Sequence, residues 1–174
     1  MPVYLNEIDD FSELEAYNSV LIVPCRFCPA ASIAVSRKEP YFQPLSSLLK
    51  TPSFEQYLDT VQTKLEKRGI RTNVFKSYLL HQFVVCMWTA RRRKKLRKVA
   101  RNYDAVLVIG CEAALDTVQD SIDAYASQVF QGMRTEGIMS IKPIIQMPCN
   151  VSLELNRITP LLHNSNNEEA WTRL

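Results

Sequence analysis

Cysteines carry the chemistry that this chain's residue types and spacing allow, and there are five of them. Cys25 and Cys28 form a C-x-x-C turn after the apolar run 20–24 (VLIVP), Cys111 ends the run 105–110 (AVLVIG), and Cys149 follows the stretch 138–147 (IMSIKPIIQM). Cys86 lies in a segment, 77–88, that is ambiguous between helix and loop. Thiolates are soft ligands. Four of them complete the coordination of a zinc ion or an iron–sulfur cluster, and C-x-x-C sets two on one tight turn. Cys25, Cys28, Cys86 and Cys111 supply that count, with Cys149 as a possible substitute ligand. The long gaps between them are not those of a zinc finger or a bacterial ferredoxin. A redox dithiol and inert buried cysteines are the other readings of the same residues. A thioredoxin-like fold would need a cis-proline strand and an antiparallel hairpin after its motif, and the sequence signals neither.

A second candidate is electrostatic. Arg91, Arg92, Arg93, Lys94, Lys95, Arg97, Lys98 and Arg101 place eight cations within eleven residues. Such a block suits an acidic protein surface, a phosphate-bearing ligand or nucleic acid, and a merely solvated helix face is the plainer alternative. Glu112 and Asp116 follow Cys111 on one helical face, as acid–base groups near a site or as first-turn caps. His81 and His163 are isolated, so no Ser-His-Asp arrangement is arguable. The four glycines are not grouped, which removes the mechanical basis of a phosphate loop.

The elements that must position the cysteines follow from periodicity. Continuous apolar runs rich in β-branched residues, at 20–23 and 105–109, predict strands buried on both faces, as in parallel sheets. Helices are predicted from Asp10 (short and acidic), after Cys28, over 53–67 with Gly69 as its stop, over 88–103 and over 112–130. A strand weakened by polar residues is predicted over 71–75 and a last strand over 138–147. Strands alternating with helices predict a single three-layer α/β domain with a mainly parallel sheet, Rossmann- or flavodoxin-like, over residues 1–162, and a polar tail over 163–174. In such sheets ligands bind at the carboxyl ends of the strands, where Cys25, Cys111 and Cys149 are expected.

The composition, 47% hydrophobic and 22% charged, is that of a globular protein. No stretch reaches the roughly 20 apolar residues of a membrane span, and the acidic N-terminus does not resemble a signal peptide. A cytoplasmic location is expected, where structural disulfides are rare.

On these residues the chain resembles the zinc- or iron–sulfur-binding C-terminal domain family associated with methylenetetrahydrofolate reductase, whose members include small accessory subunits. Residues 20–28 (VLIVPCRFC) match its strand and first two cysteines, with Ser32 where a third would stand. Cys86 precedes a charged helix as in the family, and 102–119 (NYDAVLVIGCEAALDTVQ) matches its central segment, with Glu112 and Ala114 in place of glycines. The family's C-terminal ferredoxin-like cysteines are missing. The resemblance covers roughly residues 18–150. It implies Cys25, Cys28, Cys86 and Cys111 as ligands of an iron–sulfur cluster ([4Fe-4S] favoured) or of zinc. It also implies an accessory or electron-transfer subunit of one-carbon (folate or corrinoid) metabolism, serving a catalytic partner that docks on the basic helix. The alternative is a non-enzymatic module that uses residues 91–101 to dock nucleic acid or an acidic protein.

Overall fold

Strands β2 (Ser19–Pro24) and β4 (Ala105–Ile109) are buried along their whole length, as their uninterrupted apolar runs require, and they pair in parallel. The computed structural model describes residues 2–42, 51–76, 83–122, 127–146 and 150–161. Strand β3 (Arg71–Val74) flanks β2, and β5 (Gln128–Gln131) flanks β4, giving a four-stranded parallel sheet of order β3-β2-β4-β5. Helices α1 (Cys28–Arg37) and α2 (Pro52–Lys67) connect β2 to β3, α3 (Ala90–Ala100) leads into β4, and α4 (Glu112–Gln119) leaves it. Right-handed crossovers put α1 and α2 on one face of this sheet and α3 and α4 on the other. The order reverses between β2 and β4, so the switch point of the sheet lies between their carboxyl ends.

The expectation of one mainly parallel sheet in three layers is overturned by a second sheet. Strands β1 (Val3–Glu7), β6 (Met133–Gln146) and β7 (Asn150–Pro160) form it, all antiparallel, in the order β1-β6-β7. The stretch read as a last parallel strand is part of β6, and β6 with β7 makes the antiparallel hairpin that the sequence does not signal. Pro143 is tolerated in β6 because β1 pairs only as far as Ile138, so beyond it one side of β6 carries no ladder. The predicted helix over 112–130 is also corrected. α4 stops at Gln119, where the Ser121 hydroxyl donates back to the Thr117 carbonyl, and Val129 and Phe130 belong to β5. The acidic N-terminal helix is one 3-10 turn, Ser12–Ala16.

Helix α1 is buried from Pro29 to Ala34 on every side, because it packs against β1 and β7 of one sheet and against α2. Its small residues, Ala30, Ala31, Ser32 and Ala34, allow that close enclosure. Ser32 ties the layers: its hydroxyl accepts the Leu5 N–H at 3.0 Å and donates to the Cys28 carbonyl at 3.0 Å. Helix α2 ends as expected, with Gly69 at φ 82° beyond its last turn. No helix among the described residues is long and apolar enough to cross a membrane.

Candidate metal centre

Cys25 follows β2 and Cys111 follows β4, so these two thiols flank the switch point. The Cys25 N–H donates to the Ile109 carbonyl at 2.8 Å, which locks the two strand ends together. Gly110 keeps them close. A Cβ at that position would stand 2.7 Å from the Ala114 Cβ and 3.4 Å from the Cys25 Cβ, so the last residue before Cys111 has no room for a side chain. Cys28 opens α1 with Pro29 behind it, and Cys111 is the N-cap of α4.

Cys86 has no local signal for its place, yet it reaches the same rim. It lies in a 3-10 turn, Val85–Met87, that tertiary hydrogen bonds draw over the C-x-x-C segment. The Arg26 N–H donates to the Phe83 carbonyl at 2.8 Å, and the Val85 backbone hydrogen-bonds the Cys25 sulfur. The same turn packs on α4. Cys25 and Cys111 are buried, Cys28 is half-buried and Cys86 is exposed, and none of the four is in a disulfide. The rim opens to solvent on the Cys86 side, beside Met87 and Phe27, which are 75% and 46% exposed.

The thiols influence one another. Burial pushes Cys25 up to about 12, against the pull of backbone hydrogen bonds from Val85 and Phe27, and the neighbouring Cys28 and Cys111 raise it further. Cys28 is raised by burial first and then by Cys111 and Cys86, and Cys86 by burial and then by Cys111. Cys111 therefore lies within electrostatic reach of the other three. Tyr41, which sequence reasoning missed, belongs to the same surroundings. Burial raises its phenol, and Cys28 and Cys25 raise it more. It follows a proline in a stretch with no periodic signal, and pairing of its N–H with the Val151 carbonyl at 2.8 Å holds it in place.

Four thiols on one rim are the right donors, in type and number, for zinc or an iron–sulfur cluster. The sulfurs are not drawn together: among the described residues, no group of three or more His, Cys, Asp or Glu side chains is gathered closely enough to hold a metal ion. Cys149 stands between β6 and β7, outside the described residues. Its expected place at the carboxyl end of a parallel strand falls with the antiparallel course of β6. His81 and His163 also lie outside the described residues. Ser32 is 1% exposed and its hydroxyl is engaged by β1 and α1, so it acts as a clamp between layers. Glu112 accepts hydrogen bonds from Thr135 and Gln131, which fasten the start of α4 to β5 and β6.

The basic helix divides into two parts. Arg92 is only 7% exposed, with its guanidinium 4.3 Å from the Phe75 ring centroid and 5.2 Å from that of Trp88, and it donates to the Lys76 carbonyl. It is a core residue and no part of a docking surface, which corrects its place in that set. Arg91, Lys94, Lys95, Arg97 and Lys98 are exposed, and Arg93 is half-buried.

Compared with protein-family models, with curated proteins and with solved structures, the chain matches none.

Proposed function

We propose that Cys25, Cys28, Cys86 and Cys111 hold an iron–sulfur cluster or a zinc ion, and that the protein is a cytoplasmic accessory or electron-transfer subunit. The observation that carries this reading is the shared sheet edge at the switch point. Cys25 and Cys111 leave the two strands that flank it, and the C-x-x-C turn and the Val85–Met87 turn bring two further thiols to the same edge. The association with one-carbon metabolism rests on the family resemblance of residues 20–28 and 102–119 alone.

A cluster would supply one-electron chemistry when bound, and zinc would supply structure. The chain's own contribution is to hold the donors. Cys111 stands at the N-cap of α4 and Cys28 in the first turn of α1, where the positive ends of the helix dipoles would favour bound thiolates. The Val85 and Phe27 backbone groups stabilise the Cys25 thiolate by hydrogen bonding. The walls of β2, β4 and α1 keep water from the buried side of the rim, and the exposed Cys86 side is where a partner would approach.

Purification without oxygen, followed by metal analysis and visible absorption, tests the reading. Iron with sulfide and a brown colour support the cluster, and stoichiometric zinc in a colourless protein supports the structural site. Substitution of Cys25 or Cys111 by Ser should abolish the bound metal. Protein that contains neither metal, and is indifferent to both substitutions, would sink the proposal.

A further inference from the structure

A groove of about 730 Å³ runs between α3 and the end of α4. Arg93, Lys94, Arg97, Lys98 and Arg101 line it, with Asp120 as the one carboxylate among the described residues there. The spacing i, i+1, i+4, i+5, i+8 puts the five cations on one helical face, in a stripe about 12 Å long at the rise of an α-helix. Two of them are oriented by the backbone. The Arg97 Nε donates to the Ser121 carbonyl at 2.9 Å and the Arg93 Nε to the Trp88 carbonyl at 3.2 Å. The acidic N-terminal segment is engaged elsewhere: Glu7 pairs with Arg37, Asp9 with Lys64 and Glu15 with Arg68. Among the described residues, neither Lys94 nor Lys98 makes an ion pair.

We infer that this groove seats an acidic segment of a protein partner. Charge alone would suit phosphate equally, and three observations favour protein carboxylates. Among the described residues no aromatic side chain lines the groove: Trp88 is buried against Arg92 and the Tyr103 ring lies 5.6 Å from the Arg71 guanidinium, so neither offers a platform to stacked bases. The stripe spans only about a third of the roughly 34 Å turn of a DNA duplex, enough to meet few phosphates. The neighbouring helix is acidic on its exposed surface, at Glu112, Asp116 and the following Asp120. A basic stripe beside an acidic one repels part of a uniform polyanion but complements a protein surface of mixed charge. Ala90, four residues after Cys86 in sequence, also lines the groove. The inference stands on charge and shape and does not depend on the thiols binding metal.

Fluorescence anisotropy tests it with two labelled probes, a glutamate-rich peptide of about 20 residues with interspersed lysines and a DNA duplex of about 20 base pairs, at roughly 50 and 300 mM salt. The peptide should bind at low salt and weaken at high salt. Lys94→Glu with Lys98→Glu should weaken it about tenfold or more. Lys67→Glu with Lys142→Glu, an equal change of charge at exposed positions elsewhere, should change it by less than about twofold. All four side chains are exposed, and circular dichroism verifies that both variants keep the fold. Equal losses in the two variants, no loss in the first, or tighter binding of the duplex than of the peptide would each overturn the inference.

Discussion

Cys25 shows how one buried thiol couples this rim to pH. Its proton is held up to about 12 instead of the ordinary 9.0, chiefly because burial penalises the thiolate. The folded state then binds that proton more tightly than the unfolded state does. The resulting stability is complete below pH 9 and is lost as the pH rises toward 12. Metal-free protein should therefore lose stability over that window more steeply than a Cys25→Ala variant, by up to about 1.4 kcal/mol per pH unit, in urea titrations at successive pH values. Cys25, Cys28 and Cys86 are all raised, so any metal they take must displace protons. Zinc affinity should accordingly climb between pH 6 and 8. Ser32 makes a contrasting case. Ser32→Ala would orphan the Leu5 N–H at about 1–3 kcal/mol of stability, measured by urea unfolding, with metal content unchanged. Cys25 and Cys111 beside strands, and Cys28 in the C-x-x-C turn, were legible in the sequence, because apolar runs ending in Cys announce a strand edge. Cys86 was named chiefly on the resemblance and Tyr41 not at all, because tertiary hydrogen bonds to the Phe83 and Val151 carbonyls hold their segments and leave no periodic trace.

Among the elements, α3 separates its cations into structural and surface groups. Arg92→Ala should cost about 2 kcal/mol, from the lost stacking on Phe75 and Trp88 and the lost bond to Lys76, and Lys95→Ala should cost within about 0.5 kcal/mol. Chemical denaturation of both variants measures the difference. The sequence shows eight cations as a block, and only the tertiary position of Phe75 picks Arg92 from the rest. Gly110→Ala probes the rim from another side. The added methyl meets Ala114 and must push α4 away from β4, so both thermal stability and metal content should fall. Strands β2 and β4 were readable because burial on both faces leaves unbroken apolar runs. Strand β5 was hidden because Val129 and Phe130 continue the apolar spacing of α4 as well as they pair with β4. Strand β7 was hidden because much of an edge strand faces water, so Asn150–Pro160 reads as polar and irregular.

At the scale of the molecule, the parallel order of four strands followed from alternation of strand and helix, and the second sheet did not. Its first strand is five residues near the N-terminus, too short to declare itself, and its partners lie in the last third of the described chain. Asn6 and Glu136, which hydrogen-bond across it, are 130 residues apart in sequence. That separation has a consequence in time. A chain made from its N-terminus completes β2, α1, β4 and the four thiols before β6 and β7 exist to cover α1. Strand β1 must wait, unpaired, for almost the whole chain to emerge, and long-range pairing of this kind is slow. Ribosome-stalled chains that have emerged as far as Gln131 should therefore already protect the Leu21 and Leu107 amides from exchange, while the amides of β1 still exchange freely. The hairpin works as a late-closing cover, and the rim's assembly precedes its enclosure.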